Sequence, residues 1–574
     1  MLGDYFVRAD YLFYKLYNSL YLIMNKYKIL KAILCVAIIS CYSSSIYAQE
    51  RPKLVVGIVV DQMRWDYLYR YYDRYSERGF RRLMNEGFNC QNTMINYIPT
   101  VTAAGHASIF TGSVPSIHSI VGNDFIVQKY GKSVGATYDE NVHAVGTDSS
   151  KAGQSSPVNL RTTTIGDELR LATNFRAKVV GVSLKDRGAI FPAGRMANAA
   201  FWLDENTGNW ISSSWYMDSL PKWVEKYNAS DNVRKYIDKP WTTLYHINTY
   251  IQSVSDVRYE WEYLGDKSTI QFPIDFRKLF DSGKHNYGLL KDSPWGNTIT
   301  ADFAKQAIRH YKLGVDDVTD FLTVSFSATD YVGHRYAPNS VKTEDTYLRL
   351  DRDIASLLEY LDGKVGKDQY IVFITADHGG AHNVQFLSDN KVEAASWNKY
   401  IMCDSLNKYL SKSFGKKDIV LSLDNYQVNF NYPSIRNESK KEEIIKACID
   451  FFENIDAVMY VVENRKVSQA SIPVPIKERI INGYNPQHSG EIQLILKPHY
   501  CAQSAPKGTT HGLWNPYDSH IPLIFFGKGI PSGQTVREVY MTDIAPTVAA
   551  LLKIQMPSAT VGKAIEEVFV YNNK

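Results

Sequence analysis

The chain has little of what marks a specialised class of protein. Its 574 residues carry six cysteines, too few and too scattered for a disulfide scaffold or a thiolate metal site. A net charge of +4 comes without any basic run, which argues against a nucleic-acid surface. No repeat of fixed period and no low-complexity tract occurs, so solenoids and long disordered linkers are excluded as well. No apolar run reaches the roughly 20 residues that a membrane-spanning helix needs. What is present is an ordinary globular balance, 45% hydrophobic and 22% charged, in a chain longer than one core usually grows. One large α/β domain carrying inserted segments is the expectation.

Residues 1–48 read as an export leader. Lys26, Lys28 and Lys31 precede the short apolar stretch Ala32 to Ile39, and Ser43, Ser44 and Ser45 lead to a cleavage point after Ala48. On this reading the signal starts at Met24, because Asp4, Arg8 and Asp10 among aromatics fit no signal pattern. A second reading takes Ile38-Ile39-Ser40-Cys41 as a lipoprotein site, which would leave Cys41 acylated and the protein tethered to a membrane. With Cys35 and Cys41 in the leader, one or two disulfides or single buried thiols account for Cys90, Cys403, Cys448 and Cys501. An exported, periplasmic monomer is expected.

The body of the chain, 52–570, has a recurring grammar. Leu54 to Val60 is a continuous apolar run that ends in Asp61, as in a buried parallel strand with a functional group at its C-terminal edge. Val179 to Val182 runs into Lys185 and Arg187, Phe321 to Phe326 into Asp330, and Tyr370 to Ile374 into Asp377 and His378. Leu350, Ile354, Leu357, Leu358 and Leu361 recur at helical spacing between the last two. The alternation predicts a doubly wound, mostly parallel sheet sandwiched by helices, with the polar residues on one rim. Two stretches, 190–297 and 392–508, break the rhythm and read as cap insertions over that rim. The first holds a hairpin signal at Asn206-Thr207-Gly208 and the tryptophans Trp223, Trp241 and Trp261.

Carboxylate oxygen and imidazole nitrogen are zinc donors, and the rim residues supply two sets. Asp61, Asp377 and His378 suit one ion. Asp330 and His334, one helical turn apart, suit a second with the distant His511. Singly these residues read as turns, caps or satisfied histidines, and the combination is what carries weight. Thr102, in Thr102-Ala103-Ala104-Gly105-His106, stands where a helix should start, and a phosphoryl group is favoured there. His106 is expected to pack or to support a ligand.

In these pieces the chain resembles the alkaline phosphatase superfamily, and most closely its phosphate-irrepressible periplasmic branch with a threonine nucleophile. The likeness spans about Pro52 to Ile565, and its elements are Val59 to Met63, Pro99 to His106, Ser183 to Arg187, Ser327 to His334, Ala376 to Gly379 and Gly508 to Gly512. The resemblance implies one zinc on Asp330, His334 and His511 and another on Asp61, Asp377 and His378, with Thr102 as remaining ligand and nucleophile. It implies that Asn123, Lys185 and Arg187 contact the phosphoryl group, and that a phosphothreonine forms and is hydrolysed. Ala103 and Ala104 follow Thr102, where the serine-type enzymes carry Ala-Arg, so no magnesium site is expected. The Lys185 and Arg187 pair favours a small-molecule phosphate monoester, whose dianion offers three free oxygens. A phosphodiesterase or nucleotide pyrophosphatase of the same superfamily is the alternative. A non-catalytic phosphoglycan-binding surface protein is a second, and the filled ligand positions argue against it.

Overall fold

The computed structural model describes residues 11–29, 31, 51–128, 130–148, 150–254, 271–435, 438–502 and 508–569. Residues 11–29 are helical and exposed, within a unit of their own that ends at Arg51. The expected cleavage after Ala48 and the alternative lipid site at Cys41 lie outside the described residues. Among the described residues no helix is long and apolar enough to cross a membrane.

From Pro52 onward the chain is one unit built on a ten-stranded sheet. Its strands are β1 (Leu54–Val60), β2 (Phe88–Cys90), β3 (Ala144–Val145), β4 (Val179–Ser183), β5 (Ala199–Leu203), β6 (Trp210–Ser213), β7 (Asp320–Phe326), β8 (Tyr370–Thr375), β9 (Leu523–Gly527) and β10 (Gly533–Thr535). They lie in the order β10-β2-β9-β8-β1-β7-β4-β5-β6-β3. The central run from β8 to β5 is parallel throughout. Every residue of β1, β4, β7 and β8 is buried, as continuous apolar runs covered on both faces require. β9 joins β8 antiparallel, a direction that an apolar run alone does not encode.

Helices α1 (Thr102–Thr111), α2 (Asp186–Ala193), α3 (Ala328–Tyr336) and α4 (Val341–Lys364) cover this sheet. All ten residues of α1 are buried. Its Phe110 meets Phe321 of β7 and Phe373 of β8, and Gly57 of β1 leaves room for both Phe110 and Phe373. On α4 the predicted stripe from Leu350 to Leu361 faces the core. Cys90, Cys403, Cys448 and Cys501 are free thiols.

The two expected insertions behave differently. In 190–297 the hairpin is present, pairing Trp202 with Ile211 and Leu203 with Trp210, but it forms β5 and β6 of the main sheet. Trp202, Trp210 and Trp241 are buried in the core, and Trp223 packs against it partly buried. Trp210 stacks on Phe303 at 4.0 Å, and buried Trp241 donates Nε1 to Asp345 Oδ2 at 2.7 Å. A large aromatic gains most when its ring is buried and its N–H finds a partner, which is why Trp241 is drawn inward; Trp261 lies outside the described residues. The stretch 392–508 builds a layer around a second sheet. Strands Val420–Ser422, Gln427–Phe430, Ile492–Leu496 and Val458–Glu463 make a four-stranded antiparallel sheet. Helices Lys399–Phe414 and Glu438–Phe452 pack with it around an apolar cluster of its own.

Candidate metal and phosphoryl site

Four neighbouring strands stop at one level. Val60 pairs with Phe326, Val59 with Thr375, and Ser325 with Ser183, so β8, β1, β7 and β4 end side by side. The residues that follow, Asp61, Asp330, Asp377, His378 and Lys185, are therefore delivered to a single rim, and all are buried. This is the crevice where open α/β sheets hold ligands.

Thr102 is the first helical residue of α1 rather than its cap. Val101 holds the cap position in extended conformation, and Asn123 Oδ1 accepts the Ala103 N–H at 2.9 Å. The Thr102 hydroxyl is thus free of capping and lies 3.4 Å from His378 Nε2 and 3.5 Å from Lys185 Nζ. Because the Asn123 oxygen is committed to the helix, its amide hydrogens remain to donate elsewhere. Gly105 allows α1 to sit this close. A Cβ there would lie 2.4 Å from the Asp377 carbonyl oxygen and 2.6 Å from its Cβ. Buried His106 ties the same elements together, with Nδ1 2.8 Å from Thr102 O and 3.3 Å from Asp377 Oδ2, and Nε2 2.8 Å from Ser325 Oγ.

The three other histidines share one arrangement. Nδ1 of His334, His378 and His511 lies 2.9, 2.9 and 2.7 Å from the carbonyl oxygens of Thr509, Gly379 and Thr100. A carbonyl only accepts, so each Nδ1 carries a proton and Nε2 is the atom left to bind a cation. At His334 burial works against a charge, but the Asp330 carboxylate outweighs it and pushes the imidazole up, so an ion there would displace a proton from Nε2. Those Nε2 atoms face carboxylates: His334 and His511 approach Asp330 Oδ1 at 3.2 and 3.7 Å, and His378 approaches Asp61 Oδ1 at 3.5 Å. Asp330, His334 and His511 form one group able to hold a metal ion, and Asp61, Asp330 and His378 a second. Asp377, expected with the second set, lies 3.6 Å from His378 Nε2 and accepts the Gln62 N–H at 3.1 Å. Burial pushes the His378 and His511 imidazoles down, which keeps them neutral as ligands must be.

Charge at the rim is balanced unevenly. Lys185 Nζ contacts Asp61 Oδ2 and Asp330 Oδ2, each at 2.6 Å. Burial pushes the Asp61 carboxyl well up, and the nearby Asp330 and Asp377 carboxylates add to it. Burial would raise Asp330 too, but Lys185 and His334 outweigh it and hold that carboxyl well below the usual range. Asp61 Oδ1 and Asp377 Oδ2 are buried without a hydrogen-bond partner. Two orphaned carboxylate oxygens among imidazole lone pairs fit a cation, and oxygen and nitrogen donors without thiolate suit zinc. Arg187, at the start of α2, has a buried Nε without a hydrogen-bond partner and feels both Asp61 and Asp330.

Two further side chains were not legible as site residues. Gln62 sits at φ +63° and donates Nε2 to Asp330 Oδ1 at 2.7 Å. Gly333 and Gly380 make room for it, since a Cβ on either would lie 2.0 or 3.1 Å from Gln62 Oε1. Those glycines, one inside the Ser327 to His334 element and one directly after Ala376 to Gly379, were the available signal. Tyr331 places its ring 4.9 Å from Lys185 Nζ and 5.2 Å from Nζ of the buried Lys291.

Residues 55–518 match the family described as type I phosphodiesterase / nucleotide pyrophosphatase. Curated relatives cover nearly their whole length. A protein named calcium-transporting ATPase from Myroides odoratus is 52% identical over 523 residues, 90% of this chain and 95% of that one. Alkaline phosphatase PafA of Elizabethkingia meningoseptica is 50% identical over 91% of this chain and 95% of its own. Alkaline phosphatase PhoV of Synechococcus elongatus is 46% identical over 93% and 99%. The crystal structure of wild-type PafA superposes with a TM-score of 0.88 at 49% identity, covering 91% of this chain and 99% of that one. Another, with a TM-score of 0.87, 48% identity and coverage of 91% and 99%, is of a PafA variant altered at one threonine, one asparagine, one lysine and one arginine.

Proposed function

The chain belongs to the type I phosphodiesterase / nucleotide pyrophosphatase family, and on that footing we propose that it is an alkaline phosphatase that hydrolyses phosphate monoesters through Thr102. The observation that carries the site assignment is the Thr102 hydroxyl, uncapped at the start of α1 and facing both His378 Nε2 at 3.4 Å and Lys185 Nζ at 3.5 Å. The PafA variant altered at a threonine, an asparagine, a lysine and an arginine involves the residue types of Thr102, Asn123, Lys185 and Arg187.

Asp330, His334 and His511 would hold one zinc ion and Asp61, Asp377 and His378 the other, and bound there the ions would supply the Lewis acidity that lowers the pKa of a hydroxyl and neutralises a departing oxygen. Thr102 Oγ attacks phosphorus in line. The new Oγ–P bond forms as the bond from phosphorus to the leaving oxygen breaks, giving phosphothreonine and an alcohol. Water then attacks phosphorus, the Oγ–P bond breaks, and Thr102 is restored with inorganic phosphate released. The Asn123 amide donates to one equatorial oxygen, the Lys185 ammonium acts as a point charge, and the Arg187 fork spans two oxygens. The N-terminal end of α1 adds its dipole.

That cationic set favours a monoester dianion over a diester. The hydrolytic half of the Myroides relative's name is phosphoryl transfer to water, which this site supports equally. The lysine-led leader supports an exported enzyme, periplasmic if the segment ending at Ala48 is cleaved and membrane-tethered if Cys41 is acylated. Phosphate release from an aryl monoester and from the matching diester, before and after chelation and again after adding zinc, tests the reading. Monoester turnover lost with the metal and restored by zinc is expected. Turnover indifferent to chelation, or faster on the diester, would refute it.

A further inference from the structure

The layer formed by 392–508 meets the flanks of the site at a tight turn. Between the antiparallel strands Val420–Ser422 and Gln427–Phe430, Asn425 takes φ +56°, ψ +26° and Tyr426 takes φ +57°. Successive non-glycine residues in the left-handed region are costly, more for tyrosine than for asparagine, and persist only where the surroundings fix them. Here buried Gln493 donates Nε2 to the carbonyl oxygens of Tyr426 at 3.1 Å and Asn425 at 3.4 Å, while its Oε1 accepts from Gln427 Nε2 at 2.9 Å. The Tyr426 hydroxyl accepts from Ala502 N at 3.0 Å.

The two side chains so presented lie against glycines beside two residues of the site. A Cβ at Gly512 would lie 3.1 Å from Tyr426 Cε2, so the ring fills the space beside the residue that follows His511. Gly512 itself has φ +122° and cannot readily be another residue. A Cβ at Gly122 would lie 2.5 Å from Asn425 Nδ2, so that amide presses on the residue preceding Asn123. His488 of the same layer stacks on Phe125 at 4.2 Å and places Nδ1 3.0 Å from Ser119 O, which pins the contact from the other side.

We infer that Asn425 and Tyr426 are positioning residues, Asn425 for the phosphoryl contact of Asn123 and Tyr426 for the ligand geometry of His511. The layer then contributes to the geometry of the catalytic site. The inference rests on the phosphatase reading of that site. A turn that merely closes a hairpin would alter stability and nothing else.

Asn425→Gly keeps the backbone conformation accessible and removes only the amide. In the full-length zinc-loaded enzyme it is expected to lower kcat/KM on an aryl monoester about tenfold, yet to cost less than about twofold when added to Asn123→Ala, since the two act through one contact. It should leave zinc affinity unchanged. Tyr426→Leu is expected to weaken zinc about tenfold in competition with a chromogenic chelator, with Tyr426→Phe near wild type. Losses that multiply fully in the Asn123→Ala background, or wild-type zinc affinity in a folded Tyr426→Leu, would overturn the inference. If Tyr426→Leu does not fold, the Asn425 cycle decides. A wild type inert toward monoesters would instead overturn the reading beneath, and the chelator competition would still judge Tyr426.

Discussion

Replacing Lys185 by methionine should destabilise the metal-free protein and enlarge the stabilisation that zinc provides. The Lys185 ammonium is the shared partner of Asp61 and Asp330, at 2.6 Å from each, and its side chain is 1% exposed. Removing one member of a buried charge cluster and leaving the others costs about 3–5 kcal/mol. At about 2.1 cal/mol/K of unfolding entropy per residue, a body of roughly 500 residues loses about 1 °C per kcal/mol, so Tm should fall by about 3–5 °C without metal. On the function proposed above zinc would use the same oxygens and would no longer compete with an ammonium, so its addition should raise Tm more in Lys185→Met than in wild type. The pH dependence has a definite sign. The Asp61 carboxyl is raised by burial and by its carboxylate neighbours, so the folded state holds that proton more tightly than the unfolded one. Stability from such a group is present below the unfolded pKa and lost as pH rises through the folded one. The penalty of the variant should therefore be largest at neutral and alkaline pH and recede on acidification. Thermal unfolding with and without zinc, at several pH values, reads all of this. A metal-free variant as stable as wild type, or equal zinc-induced shifts in the two proteins, would refute the charge balance drawn above.

Thr102→Ala should nearly abolish monoester turnover while zinc stays bound, by metal analysis of the purified variant; wild-type-like rates would sink the nucleophile assignment. Arg187→Ala should lose more rate on a monoester than on a diester, and equal losses would undercut the argument from oxygen count. Gly105→Ala puts a methyl 2.4 Å from the Asp377 carbonyl oxygen and should cost about 1–3 kcal/mol of stability along with most of the activity. Retention of both would mean that α1 is not held by that contact. Buried Asp518 accepts the Leu513 N–H at 3.0 Å close to His511, and burial pushes its carboxyl up to about 8. Wild type should lose stability as pH rises through that value, and Asp518→Asn, which keeps the acceptor, should escape the loss. Parallel Tm curves between pH about 5 and 9 would count against it.

The strands were legible because β1, β4, β7 and β8 are continuous apolar runs and each ends abruptly in charge. Their shared level came with them, since polar residues that follow buried parallel strands collect at one edge. Strand direction at the sheet margin was not legible, because Leu523–Gly527 reads the same whether parallel or antiparallel to β8. The tryptophans of 190–297 misled for a related reason: composition shows how much apolar surface a segment carries and not which side it turns inward. The side chains of the two groups able to hold a metal ion were readable from their motifs. Gln62, Asn425 and Tyr426 were not, because what marks them is a positive φ and a glycine across the gap, and a sequence without coordinates hides which glycine faces which side chain.

The level ending of four strands also sets a schedule. Asp61 and Thr102 emerge early from the ribosome, yet β8 and the imidazole of His511 come hundreds of residues later, and the turn at Asn425 and Tyr426 lies between. On the function proposed above, an incomplete chain carries Thr102 without the rim that would activate it. On that reading competence waits for the end of the chain, which brings His511 and then β9, the strand that pairs with β8.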